Sequence, residues 1–394
     1  MNLRVYRLGV TGFFFGLLVA FIISCSSESG NIDNMENESA DDGGAFGGGT
    51  TSAFYYGADL SYVNEMEDCG ARFKNKQNET EDPFKIFADV GTNLIRVRKW
   101  HAATWTNYSN FEDVEKTIRR AKDKNIAVLL DFHYSDEWAD PNKQEIPVAW
   151  LLVKNNTQAL GDSIYNYTYK TLEKLSDNNL LPEIVQIGNE INGMILQEGA
   201  LVWPIDWARN AVLLNKGIQA VRDLSAEKKV TIEVMLHVAQ PENALWWFKQ
   251  AKDSGVTDFD WIGLSYYPSW STDTFANLPG VLSTIKNTYN KRFMIVETAY
   301  PFTLENGDDA NNILGNDALI AGYPATQQGQ LAYLQKLQGI IENAGGEGLV
   351  YWEPAWVSTP CSTLWAQGSH WDNATLFDHD YKVTLGMSFY NNSL

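Results

Sequence analysis

Basic residues are scarce in this chain. Thirty Lys and Arg stand against 49 Asp and Glu, for a formal charge of −19, and no basic cluster interrupts that balance. Such a surface should repel nucleic acid and anionic membranes. It also disfavours polyanionic ligands and favours a neutral substrate. Cysteine is scarcer still, at three in 394 residues, which is too few for a disulfide scaffold. Five histidines are present, but no close His/Cys/Asp spacing supports a zinc site. The first predicted strand, 54–59, has no Gly-rich turn after it, so nucleotide binding lacks its usual cradle. Internal repeats are absent.

Long apolar runs are missing too, apart from Phe13–Ile23 behind Arg4 and Arg7. That layout predicts a signal peptide over 1–24 and is too short to favour a spanning helix. It ends in Ile22-Ile23-Ser24-Cys25, which resembles a bacterial lipobox and implies cleavage before Cys25 and lipidation of its thiol. Residues 26–50 hold six acids, no Lys or Arg, and Gly47-Gly48-Gly49. This stretch reads as a flexible tether, and it leaves a charge of −15 on residues 51–394. The expectation is a monomeric domain held to a bacterial outer membrane, at the cell surface, by its lipid alone. Cys69 and Cys361 remain as a pair that could join in an oxidising compartment.

Residues 51–394 alternate strand and helix texture. Predicted strands are 54–59, 93–98, 126–132, 183–189, 230–236, 260–265, 292–297 and 348–353. Near-continuous runs such as Ile126-Ala127-Val128-Leu129-Leu130 suit a parallel sheet buried on both faces. Helical periodicity falls between them, at 111–124 and 207–224 for example. Eight such units predict a single (β/α)8 TIM barrel, with a doubly wound open sheet as the alternative.

In a barrel, chemistry sits at the C-terminal strand ends. Two of these ends are carboxylates: Glu190 in Ile187-Gly188-Asn189-Glu190, and Glu297 in Met294-Ile295-Val296-Glu297-Thr298. Strands four and seven can place them across one mouth. A pair of carboxylates is the minimal equipment for breaking a glycosidic bond, and a retaining enzyme needs them about 5–5.5 Å apart. Arg96 is the candidate to hold Glu297 ionised, and Tyr266 or Tyr267 to orient it. Asn189 is placed to bind a sugar 2-OH. Asp59, His133, Asp136, Trp138, His237, Trp352 and Trp356 complete the predicted sugar-binding rim, whereas Glu353 reads as structural. Of the 14 Trp and 18 Tyr at least half are expected to build an aromatic core, and the rest to lie in grooves, where flat rings suit sugar faces.

Several strand-end motifs together resemble glycoside hydrolase family 53, the endo-β-1,4-galactanases. They are Gly57-Ala58-Asp59-Leu60-Ser61, Arg96-Val97-Arg98, Asp131-Phe132-His133-Tyr134-Ser135-Asp136, Gly188-Asn189-Glu190, Gly263-Leu264-Ser265-Tyr266-Tyr267-Pro268 and Val296-Glu297-Thr298-Ala299-Tyr300-Pro301. The likeness runs from about residue 54 to the C-terminus. It implies a retaining enzyme with Glu190 as acid/base and Glu297 as nucleophile, no cofactor for the chemistry, and β-1,4-galactan of pectin side chains as substrate. It also implies a structural calcium held by Asn306, Asp308, Asn312, Ser369 and Asp372, although Ala310 stands where a histidine ligand is usual. Two other readings remain open: a surface barrel that only binds glycan, and an endo-hydrolase of another β-1,4-hexan.

Overall fold

A computed structural model describes residues 54–390; the predicted signal segment, Cys25 and the tether lie outside the described residues. Eight strands close into a barrel in the order β1 to β8: Tyr55–Asp59, Leu94–Lys99, Ala127–Phe132, Ile184–Ile187, Glu233–Ala239, Trp261–Ser265, Arg292–Thr298 and Gly348–Tyr351. Every neighbouring pair is parallel, and β1 closes on β8. The open-sheet alternative is thereby excluded. Helices α1 (Val63–Asp68), α2 (Pro83–Asp89), α3 (Phe111–Lys122), α4 (Thr157–Asp177), α5 (Trp207–Lys228), α6 (Pro241–Asp253), α7 (Leu278–Tyr289) and α8 (Gln327–Asn343) form the outer layer.

Local chemistry explains the boundaries. The Asn110 side chain accepts from the Asp113 amide and starts α3, and Arg119, Arg120 and Lys122 complement its last turn. Asp206 caps α5 in the same way. That helix runs four residues beyond the expected 224, to a left-handed Lys229. The β-prone run Val230-Thr231-Ile232 is therefore a connection. Strand β5 starts at Glu233, so His237 lies within the strand and not past its end.

The core has two parts. A small apolar plug inside the barrel contains Leu94, Leu129, Ile184, Met235, Trp261, Met294 and Val350. A larger shell packs strands against helices. Beneath the plug, Arg292 lies 3.8 Å from the centroid of the Trp261 ring and pairs with Glu233 and Glu347, at 2.8 Å each. The opposite rim thus carries a charged cluster that the strand-end reading passed over. Cys69 and Cys361 form a disulfide with 5.7 Å between Cα atoms, joining the segment after α1 to the loop after β8.

Candidate active site

Strand alternation builds the site. Two residues beyond the plug positions, the same inward face presents Arg96 after Leu94, Asp131 after Leu129, Gln186 after Ile184 and His237 after Met235. On β6 two further steps beyond Trp261, past Gly263, reach Ser265. All five of these polar groups are buried. An apolar plug capped by a polar layer therefore follows from period two alone.

Arg96 organises that layer. Its guanidinium pairs with Asp59 at 2.7 Å, Asp131 at 2.8 Å and Glu297 at 2.8 Å, and donates to Asn189 Oδ1 at 2.7 Å. Three carboxylates on one buried cation leave an excess of negative charge. Tyr267 donates its hydroxyl to the other Glu297 oxygen at 3.3 Å. A register shift between β6 and β7 sets Ser265 opposite Glu297, and such bulges re-aim a side chain.

Glu190 sits on a tight turn. Gly188 has φ of +81°, and a Cβ there would meet Ile191 Cγ2 at 2.5 Å. Glu190 itself has φ of +46°, a conformation that costs a non-glycine residue on the order of 1–2 kcal/mol. The turn aims its carboxyl at Ser265 Oγ, 2.5 Å away. Ser265 Oγ in turn lies 2.8 Å from His237 Nε2.

Asn189 Nδ2 donates to the Ala139 carbonyl at 2.8 Å, so its Oδ1 is an acceptor. His237 Nδ1 lies 3.0 Å from that Oδ1, 3.2 Å from Gln186 Nε2 and 3.4 Å from the Glu190 amide, which donates to it. Burial, Arg96 and His133 push the His237 pKa well below its usual value, so the ring is neutral. When Glu190 is protonated it can donate to Ser265. When Glu190 is ionised, Ser265 donates to it. One hydroxyl thus serves both states of an acid/base group.

The two carboxyls are differently placed to ionise. Burial raises both. For Glu190 the charge of Glu297 raises it further, while Ser265 and Arg96 oppose. For Glu297 the directly bonded Arg96 is the main opposing influence. The proton shared by such a pair resides on Glu190, which leaves Glu297 as the anion.

A cleft of about 830 Å³ opens above the pair. Of the predicted residues, Trp138, Asn189, Glu190, Tyr267, Glu297, Trp352 and Trp356 line it. Six do not. Arg96 lies behind Glu297 and pairs with it, the role expected of it, and makes no sugar contact; Asp59 pairs in turn with Arg96. His133 pairs with Asp131 at 3.0 Å beneath the surface. His237 is buried behind Ser265. Asp136 accepts from the Ala102 and Val148 amides and contacts His101 at 3.2 Å, fastening loops. Tyr266 donates to the Asp273 carbonyl, so only Tyr267 orients Glu297. Glu353 is structural, as expected: it pairs with Arg98 at 3.0 Å. Arg98 lies within 4.2–4.7 Å of the ring centroids of Tyr62, Trp100 and Trp138, and so steadies the cleft wall.

Other lining residues had no individual signal. Trp365, His370 and Trp371 come from the long connection after β8, and Gln240 and Asn243 from the start of α6. Ser265 and Gln186 could have been found: each is a polar residue at an inward position of an apolar strand.

Asn306, Asp308, Asn312, Ser369 and Asp372 do converge, but as a closed clasp. Asp308 accepts from the Ala310 and Ser369 amides, each at 2.8 Å. Asp372 accepts from the Gly307 amide, the Ser358 hydroxyl and the Asn312 amide group. A Cβ on Gly368 would lie 2.1 Å from the Asp308 carboxylate. Asn312 Oδ1 is buried without a donor, and three of the four carboxylate oxygens accept a single hydrogen bond and keep a further lone pair. Among the described residues, no group of three or more His, Cys, Asp or Glu is placed to hold a metal.

Fold and site define a barrel glycosidase built around two unlike carboxyls. The family model for glycosyl hydrolase family 53 matches residues 55–390, and the chain belongs to that family. It is 56% identical over 327 residues to the arabinogalactan endo-β-1,4-galactanase of Cellvibrio japonicus, covering 82% of this chain and 86% of that protein. It is 34% identical to an endo-β-1,4-galactanase of Bacillus subtilis, over 84% of this chain and 79% of that one. Among solved structures, the family 53 catalytic domain of Ignisphaera aggregans superposes with a TM-score of 0.79 at 29% identity, covering 87% of this chain and 96% of that one.

Proposed function

We propose that this chain is an endo-acting, retaining hydrolase of β-1,4-galactan, with Glu297 as nucleophile and Glu190 as acid and then base. The observation that carries the roles is their unlike wiring. Glu297 is bonded to a guanidinium and a phenol, both of which stabilise its anion. Glu190 has only a hydroxyl that accommodates either state. In the first step Glu297 attacks the anomeric carbon while Glu190 protonates the departing oxygen. In the second Glu190 takes a proton from water, which displaces Glu297. No cofactor enters either step. The substrate follows from the galactanase relatives, and a neutral chain suits a surface of charge −15 over residues 51–394. A barrel that only binds glycan gains nothing from this arrangement.

The test is digestion of galactan, mannan and cellulose with products sized by chromatography. Mixed-length oligosaccharides from galactan alone are expected. Galactose alone from the start, or equal cleavage of mannan, would contradict the reading.

The same proposal includes secretion and lipidation at Cys25, with the tether carrying the barrel at the outer surface. It rests on the motif Ile22-Ile23-Ser24-Cys25 and on the composition of 26–50. Cys25→Ala should move the enzyme from the membrane fraction to the soluble one; unchanged membrane retention would refute the lipid anchor.

A further inference from the structure

Two indoles face outward just beyond the cleft. Trp203 and Trp246 are 55% and 47% exposed, with ring centroids 6.1 Å apart and planes 38° from parallel. An exposed adjacent pair of indoles calls for an explanation.

The pair is continuous with the cleft wall. A Cβ on Gly193 would lie 3.8 Å from the Trp203 ring, and Gly193 follows Asn192, which lines the cleft. Trp246 lies three residues beyond the cleft-lining Asn243 on α6, on the same helix face. Asn192 and Asn243 both donate to the Ala239 carbonyl, at 2.9 Å each. The wall that separates the indoles from the reacting groups is therefore one bonded unit. It joins the β4 connection, which also carries Glu190, to the end of β5 and the first turn of α6. A general acid protonates the leaving-group oxygen, so the departing part of the chain runs over this wall. Trp270, 51% exposed and lining the cleft, offers a further ring there.

We propose that Trp203 and Trp246 form a remote platform for the leaving-group side of a long β-1,4-galactan chain, beyond the sugars that flank the cleaved bond. The inference rests on the galactanase reading. A β-1,4-linked galactosyl unit carries its axial O4, which is part of the linkage, on one face and clusters C–H groups on the other, which suits stacking on indole. Neither ring is needed for chemistry, so the platform acts on affinity for long chains.

The experiment compares the full chain with its Trp203→Ala/Trp246→Ala variant on two substrates. On an aryl β-1,4-galactobioside, whose leaving group is too short to reach the rings, kcat and KM should be unchanged. On long galactan KM should rise roughly two- to tenfold at constant kcat. Retardation in galactan-containing native gels, measured in a Glu297→Gln background to prevent digestion, should weaken. Equal KM and equal retardation would overturn the platform. So would an equal KM rise on the aryl substrate, which would assign the indoles to packing of the wall. A parent enzyme that leaves galactan intact would overturn the galactanase reading instead.

Discussion

Replacing Glu297 by Ala should lower kcat on galactan by on the order of 10⁴-fold or more, since no other group can form the covalent intermediate. Glu190→Ala should lose roughly 10²- to 10⁴-fold. The loss should be smaller on activated aryl galactosides, whose leaving groups need little protonation. Azide then separates the two roles. In Glu297→Ala it enters the vacated space and attacks from the nucleophile's side, giving the α-galactosyl azide. In Glu190→Ala it replaces the activated water in the second step and gives the β-azide. Activity retained by either variant would remove that residue from the mechanism. In the parent the rate should rise with pH as Glu297 ionises and fall as Glu190 does. Burial lifts both limbs above the ordinary carboxylate range. Glu190→Gln should remove the falling limb.

Arg96→Met should have the next largest effect. The variant leaves Asp59, Asp131 and Glu297 buried without the cation that each of them contacts within 2.8 Å. Breaking a buried pair from one side destabilises by about 3–5 kcal/mol. Glu297, whose pKa burial already raises, can escape part of this by holding a proton once the opposing Arg96 is gone. Stability of the variant is then retained at low pH and lost as pH rises through that raised value. The gap in Tm between parent and variant should widen from pH 5 to pH 8. Activity should fall on the order of 10²-fold or more at neutral pH, and its acid limb should move to higher pH because Glu297 no longer ionises readily. A gap that narrows with rising pH would refute Arg96 as the counter-charge of this layer.

Much of this was legible in the chain because a strand has a period of two. Apolar runs ending in Asp59, Arg96, Glu190 and Glu297 marked both the strands and the rim. The same period explains the errors. His237 was read as a strand end because Val230-Thr231-Ile232 looked like the start of β5, although α5 had carried on to Lys228. His133 stands at a strand end, yet it turns beneath the surface to Asp131, and nothing local distinguishes a residue facing the cleft from one supporting it. Ser265 was visible in its motif, but its role needs Glu190 and His237, both distant in sequence. Trp365 and Trp371 lie in a long connection, whose path depends on tertiary contacts with no periodicity. Asp308 and Asp372 were placed together correctly. Their backbone donors, Ala310, Ser369 and Gly307, carry no side-chain signal.

The central claim is that Glu190 and Glu297 perform a double displacement. Proton NMR of galactan fragments during the first minutes of hydrolysis tests it most directly, before mutarotation mixes the anomers. Newly formed reducing ends should appear first as the β-anomer and drift later toward the equilibrium mixture. Initial release of the α-anomer would mean a single displacement by water, and would contradict the assignment of Glu297 as nucleophile.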